Sequence, residues 1–317
     1  MSQVLVTTPT FARFSDAPWH VFTEAGLTAE RPCEDAALPR AELLARVGGA
    51  EALVVGLDPI TADVMDAAPR LRVVAKHGVG VDNIDLDAAR ARGVRVVYAP
   101  GSNSRAVAEL TFGLILAATR HIPAADAAVR AGAWPKPFGP ELDGRTLGIV
   151  GFGRIGRILA GYGRAFGMRV AAHDPYLAPA EIAAHGADPV DLDTCVTASD
   201  VVSLHLPGDP GAPPLLDRAR LEAMRPGSCL VNAARGGLVD EAALADLLNR
   251  GHIGAAALDA FAGEPLPGDS PLRTAPNTVL TPHIGACGRE ANRTMGAMVA
   301  EDIVRVLRGE EPRHAAA

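Results

Sequence analysis

The feature that most constrains this chain is a repeated alternation of short, continuously apolar runs with Ala-rich helical stretches along nearly all of its length. A strand without a polar face must be covered on both sides. A strand followed by a helix and then another strand returns parallel to the first. The pattern therefore predicts an α/β fold built from doubly wound parallel sheets. In a first series, strands are expected at 4–7, 52–55, 71–75 and 94–98, with helices at 41–47, 61–67 and 86–92. The turn-rich stretch Tyr98-Ala99-Pro100-Gly101-Ser102 closes this series.

A long helix is expected next, over 104–121. Its apolar and small residues occupy most faces, as in a helix sandwiched between domains or subunits. The stretch 131–143, with Gly132, Pro135, Pro137, Gly139 and Pro140, is expected to be loop and carries Trp134. A second alternating series follows. Its strands are expected at 146–150, 169–173, 201–206, 229–232, 253–258 and 279–280, and its helices at 155–166, 179–185, 217–224 and 241–250, before a final helix over 289–307.

Composition narrows the classes. A length of 317 residues favours two domains, and 48% hydrophobic against 21% charged residues excludes a disordered chain. With 30 basic and 37 acidic residues the net charge is −7, which gives no general attraction for nucleic acid or anionic lipid. No apolar run is long enough to span a bilayer, and the N-terminus lacks the pattern of a signal peptide. Cys33, Cys195, Cys229 and Cys287 are scattered without C-x-x-C or metal spacing. The expectation is a reduced, soluble, cytoplasmic protein without a metal site.

Gly151, Gly153 and Gly156 form G-x-G-x-x-G after an expected strand and at the start of an expected helix. An acid, Asp174, stands 18 residues beyond Gly156 at the end of the next strand. That context identifies a dinucleotide site. Gly151 permits the tight turn, Gly153 the approach of backbone to a pyrophosphate, and Gly156 close helix–strand packing. Arg154 and Ile155 bring N–H groups to the helix N-terminus, where an anion is favoured. A carboxylate at Asp174 suits ribose hydroxyls and repels a 2′-phosphate, so NAD is expected rather than NADP. A capping role before Pro175 is the plainer alternative for Asp174.

Three later segments each place chemistry just past an expected strand. Asn232-Ala233-Ala234-Arg235-Gly236-Gly237 offers an arginine, which can grip a carboxylate and polarise a carbonyl. Asp259-Ala260-Phe261-Ala262-Gly263-Glu264 offers two carboxylates, and Thr281-Pro282-His283 a histidine. Hydride transfer to a ketone needs a proton delivered to oxygen. Histidine held by a carboxylate is the simplest neutral-pH donor.

These segments, together with Gly78-Val79-Gly80-Val81-Asp82-Asn83-Ile84-Asp85 and Val107-Ala108-Glu109, resemble the D-isomer-specific 2-hydroxyacid dehydrogenase family over nearly the whole chain. The resemblance implies a flavodoxin-like substrate domain at 1–99 and 287–317, with a Rossmann domain inserted at 100–286 and catalysis in a cleft between the two. It implies roles for Arg235 in orienting substrate, His283 as general acid/base and Glu264 as its carboxylate partner. Asp259 is expected to hold the nicotinamide carboxamide. Ala233, His205 and Pro207 are expected on the cofactor side, which His283 also borders. Val79 and Gly80 are expected to bind the substrate carboxylate through their N–H groups, and a Gly-Val-Gly turn can form such an anion nest. Asn103 lies in a loop that approaches substrate in relatives, and Lys76 is a candidate for a second anionic group or a solvated lysine. For His205 a packed strand-end histidine is the alternative.

Within the family, the motifs resemble the phosphoglycerate dehydrogenase branch in a short form. Glu264 departs from the formate dehydrogenases, and Asp174 from the NADPH-preferring glyoxylate and hydroxypyruvate reductases. Gly56-Leu57-Asp58 stands where phosphoglycerate dehydrogenases commonly carry a phosphate-binding arginine. The implied activity is hydride transfer between NAD(H) and a small anionic D-2-hydroxy or 2-oxo acid, 3-phosphoglycerate among the candidates, in a homodimer. A 2-oxo acid reductase of the hydroxypyruvate or glyoxylate type and an NAD-sensing corepressor are the alternatives.

Overall fold

A computed structural model describes residues 3–36, 38–209 and 211–317. The chain divides into two compact units. One runs to Asn103 and resumes at Ala286; the other spans Ser104–Gly285.

The first unit opens with β1 (Val4–Val6), α1 (Ala17–Glu24), β2 (Ala29–Glu30), α2 (Arg40–Arg46), β3 (Ala52–Val55), α3 (Ala62–Asp66), β4 (Val73–Lys76), α4 (Leu86–Ala91) and β5 (Arg95–Val97). All five strands are parallel, in the order β2-β1-β3-β4-β5. Every residue of β1, β3 and β4 is buried, which explains the absence of a polar alternation in these strands.

The second unit contributes α5 (Ser104–Thr119), α6 (Ile122–Arg130), β6 (Thr146–Val150), α7 (Arg154–Ala165), β7 (Arg169–His173), α8 (Pro179–Ala184), β8 (Asp188–Pro189), α9 (Leu192–Thr197), β9 (Val201–Leu204), α10 (Arg218–Ala223), β10 (Cys229–Asn232), α11 (Glu241–Asn249), β11 (Ala255–Leu258) and β12 (Thr278–Leu280). Its seven parallel strands run in the order β12-β11-β10-β9-β6-β7-β8. Successive strand residues serve opposite faces. Leu147, Ile149, Val231 and Ala257 pack with Ile115 and Leu159 on one side, whereas Val150, Leu230 and Leu258 pack with Leu221 and Leu244 on the other. Each large aliphatic side chain buried there contributes about 1.5–3 kcal/mol. Asp191, Asp217 and Asp240 cap α9, α10 and α11 by accepting from the N–H three residues on.

The chain then returns to the first unit as α12 (Arg289–Leu307), which packs on α1 and β4. The segment beyond it lies antiparallel to β5, with Ala316 N donating to Val96 O (2.7 Å) and an Ala315–Val97 bridge. Asp302, fully buried on α12, accepts from Arg313 N (2.7 Å) and meets His314 Nδ1 (2.8 Å), so this edge is pinned from below.

Several elements differ from expectation. The strand expected at 71–75 begins at Val73, because Leu71 N still donates to Ala68 O. The strand expected at 253–258 begins at Ala255, since the His252 and Ile253 amides turn back onto Leu247 O. The long helix ends at Thr119; His121 is left-handed (φ 54°), and Pro123 helps start α6, which was not expected. Most faces of α5 are buried, as expected, and Arg105, Glu109 and Gly113, four apart, form the one exposed stripe. Elements α1, β2, β8 and α9 also carried no clear periodic signal.

Candidate functional site

Open parallel sheets bind ligands outside the carboxyl ends of their strands, where the strand order reverses. In the second unit that reversal lies between β6 and β9. The carboxyl ends there lead into Gly151–Gly153 after β6, His205–Gly208 after β9, Arg235 after β10, Asp259–Glu264 after β11 and His283 after β12. Parallel topology alone therefore carries these segments to one edge.

The three glycines play three parts. Gly151 is left-handed (φ 93°), and a Cβ there would lie 2.5 Å from His205 O. A Cβ on Gly156 would run into Gly151 O, so the helix can approach the turn only without a side chain. Gly153, by contrast, is exposed and has nothing within 4 Å of its Cβ direction. It opens α7, with Arg154 and Ile155 as the first helical residues, whose N–H groups have no intrahelical acceptor. Asp174 ties this loop: Oδ2 accepts from Phe152 N (2.9 Å) and Oδ1 from Tyr176 N (3.0 Å). Asp174 thus stabilises its own turn and stands half-buried beside the glycine loop. An open glycine, the N–H donors of a helix N-terminus and an adjacent carboxylate acceptor together fit a dinucleotide.

His205 meets Ser203 Oγ through Nε2 (2.8 Å), while its Nδ1 is enclosed without a partner. Burial pushes its imidazole down to about 4. It is thus a neutral, packed histidine whose carbonyl backs Gly151. Pro207 next to it is exposed, and Ala233 is half-buried.

Arg235 sits in a clamp whose other members the sequence did not single out. Asn232, 1% exposed, donates from Nδ2 to Arg235 O (2.8 Å) and accepts from Ala234 N at Oδ1 (3.1 Å). The Arg235 guanidinium donates to Ala234 O (2.8 Å), and a Cβ on Gly208 would lie 3.0 Å from Arg235 Cγ. Gly236 lies directly on the Phe261–Ala262 main chain. The only sequence signals for these contacts are the bare Gly236-Gly237 pair and an asparagine at a strand end.

Glu264 and His283 are paired. Nδ1 of His283 lies 2.8 Å from Oε2 and 3.0 Å from Oε1 of Glu264, with side chains 30% and 28% exposed. Oε1 also accepts from Phe261 N (3.0 Å). Burial raises the Glu264 pKa, but the His283 bond, the Phe261 amide and the His283 and Arg235 charges together hold it below the usual carboxylate range. The neighbouring amide, Ala262 N, donates to Glu241 Oε1 (2.6 Å). His283 itself is left-handed (φ 53°), a strained conformation of the kind concentrated at functional sites. Asp259 holds its loop. Fully buried, it accepts from Thr281 Oγ1 (2.6 Å) and Ile284 N (2.8 Å) at Oδ1 and from Gly285 N (2.8 Å) at Oδ2. Any contact with a nicotinamide would be additional to this anchoring.

The remaining expected residues belong to the first unit. Val79 and Gly80 are half-buried, and their N–H groups have no hydrogen-bond partner among the described residues. Asn103 is half-buried at the unit's boundary. Lys76 is not a solvated lysine: it is 6% exposed and donates to Gly56 O (2.5 Å) and Asn83 Oδ1 (2.7 Å).

Residues 112–285 match the family model described as D-isomer specific 2-hydroxyacid dehydrogenase, NAD binding domain. The D-3-phosphoglycerate dehydrogenase of Mycobacterium tuberculosis is 48% identical over 274 residues, 86% of this chain and 52% of that protein. The chain thus spans about half the length of the curated phosphoglycerate dehydrogenases it matches. The glyoxylate reductase of Thermofilum pendens is 40% identical over 92% of this chain and 91% of its own. Among solved structures, a protein of Thermus thermophilus superposes with a TM-score of 0.89 at 43% identity, covering 99% of each chain. The D-lactate dehydrogenase of Aquifex aeolicus, complexed with NAD and lactic acid, superposes at 0.82 with 26% identity over 97% of this chain and 96% of its own. The chain belongs to the D-isomer specific 2-hydroxyacid dehydrogenases, and its second unit is that family's NAD binding domain.

Proposed function

We propose that this protein is an NAD-dependent dehydrogenase of a small D-2-hydroxy acid, working in either direction between that acid and its 2-oxo form. The observation that carries the proposal is the pairing of His283 with Glu264, beside Arg235, at the same strand ends as the glycine loop. Gly151, Gly153, Gly156, Arg154 and Ile155 would hold the dinucleotide phosphates. Asp174 would take the adenosine ribose and disfavour a 2′-phosphate. His205, Pro207, Ala233 and Asp259 would border the rest of the cofactor. When bound, the nicotinamide supplies or accepts the hydride.

The protein's own groups do the remainder. Glu264 fixes the His283 tautomer through Nδ1, leaving Nε2 to give a proton to the carbonyl oxygen or take one from the hydroxyl. Its carboxylate also stabilises the imidazolium. Arg235, held by Asn232, grips the substrate carboxylate and polarises the carbonyl. In the first unit, which would serve as the substrate domain, the Val79 and Gly80 amides and Asn103 are the groups that would receive an anionic part of the substrate. The test is oxidation of NADH at 340 nm against glyoxylate, pyruvate and hydroxypyruvate, with His283→Ala alongside. Turnover should fall by about 1,000-fold or more while NADH affinity changes little. Unaltered turnover in the variant refutes the assignment.

We read the assembly as a homodimer through the second unit. No residue of α6 is buried, and Trp134 and Phe138 after it are 79% and 94% exposed, an apolar surface suited to an interface. Light scattering checks this. A cytoplasmic setting is supported by Cys33, Cys195 and Cys229, none of which is in a disulfide.

A further inference from the structure

The strand order of the first unit reverses between β1 and β3, which puts its ligand edge at Thr7–Thr8 and Gly56–Asp58, beside the turn that follows β4. The charged and titratable groups at the ends of β3 and β4 are turned inward. Asp58, 7% exposed, accepts at Oδ2 from Thr7 Oγ1 (2.7 Å) and Gly56 N (3.0 Å). Those are the donors that an anionic ligand would need. The Lys76 ammonium is directed to Gly56 O and Asn83 Oδ1, and Asn83 Nδ2 in turn donates to Gly56 O (3.1 Å) and Asp58 O (2.6 Å). His77 is buried, and burial holds its imidazole neutral. Gly56 has no room for a longer side chain, since a Cβ would lie 2.8 Å from Thr8 Oγ1 and 3.0 Å from Thr8 Cβ. The side chain that does project from this turn is Leu57, 64% exposed.

We infer that the substrate carries a single anionic group, its carboxylate, and that the remainder of its side chain is uncharged. This rests on the dehydrogenase reading above and specifies its substrate class. A phosphate monoester brings about −1.5 to −2 of charge and three acceptor oxygens. Here it would meet an apolar side chain, a buried carboxylate and a lysine already engaged in holding the turn. Recruiting Lys76 would strip its cation from Asn83 and from a main-chain carbonyl. A hydroxyl or alkyl substituent makes no such demand.

Hydroxypyruvate and phosphohydroxypyruvate differ only in the phosphoryl group and make the direct comparison, with the full chain and NADH followed at 340 nm. kcat/KM is expected to favour hydroxypyruvate by at least about 100-fold, the scale of a mismatched charge at a recognition site. Equal or greater efficiency with the phosphorylated acid overturns this inference and leaves the dehydrogenase reading standing. Failure of both acids, and of glyoxylate and pyruvate, refutes the dehydrogenase reading itself. Leu57→Arg supplies the missing cation at the exposed tip of the turn and should narrow the preference at least tenfold. An unchanged ratio in that variant would show that the turn does not face the substrate, and overturns the inference.

Discussion

Replacing Gly236 by Ala tests whether the loops carrying Arg235 and Glu264 behave as one body. A Cβ on residue 236 would lie 1.8 Å from Phe261 C, 2.1 Å from Ala262 N and 2.2 Å from Phe261 O. Carbon atoms settle no closer than about 3.5 Å, so the two main chains must part by about 1.7 Å. No flexible side-chain end can give way, because all three atoms are backbone. The Phe261–Ala262 segment is in turn held by Glu264 Oε1 and Glu241 Oε1, so its displacement moves the partner of His283. A misplacement on the order of 1 Å costs about 100-fold in rate, and the overpacking costs about 1–3 kcal/mol of stability. Gly237 is the matched control, since a Cβ there has nothing within 4 Å. Steady-state kinetics at 340 nm, NADH titration and urea unfolding should show Gly236→Ala slowed about 100-fold in kcat/KM with cofactor affinity nearly intact. Gly237→Ala should match the parent protein. Parent-like turnover in Gly236→Ala would refute the coupling between the two loops.

Glu264→Gln keeps a hydrogen-bonding side chain beside His283 but removes its charge, and kcat should fall about 10–100-fold. Because the Glu264 pKa is depressed, its stabilising contribution is present above its ordinary value of 4.5 and is lost as pH falls through the lower folded value. Urea midpoints of the Gln variant should lack that acid-side loss; an identical acid limb contradicts it. His77 runs the other way in charge: burial lowers it from 6.5 to about 4, so only the unfolded chain gains a proton between those values. Stability should fall by up to about 3 kcal/mol as pH drops through that window, and His77→Gln should flatten the dependence. With thiols pushed up to about 12, Cys195 and Cys229 should resist iodoacetamide at pH 8 until the protein is unfolded, and rapid labelling of either in the folded state would contradict their burial.

The two sheets were legible because their strands are buried on both faces, so apolar continuity survives in the sequence as β6 and β10 illustrate. The glycine loop was legible for a different reason: Gly151 and Gly156 each exclude a side chain on steric grounds that leave no substitute. What failed to show was structure made by tertiary contact. The two-residue strands β2 and β8 are too short to carry a period. Helix α6 is only nine residues long and buries none of them, so its exposed Ile122 and Val129 give no core-facing stripe to read. Lys76 looks like any lysine until the fold encloses it beside Gly56 and Asn83. The left-handed backbone of His283 and the anchoring of its loop by Asp259 depend on residues more than twenty positions apart, which local pattern does not register.

The interrupted course of the first unit bears on how the protein comes to be folded. Residues Ser104–Gly285 form one continuous, compact unit. The five-stranded sheet, in contrast, is made early and must wait for residues 286–317 before α12 covers β4 and the last segment closes the open edge of β5. Until then that sheet presents apolar surface and an unpaired strand edge, the two features that invite aggregation of nascent chains. Closure across some 200 residues is also a slow, high-contact-order event. The buried Asp302 and its bonds to Arg313 and His314 can form only once that late stretch of chain has been made.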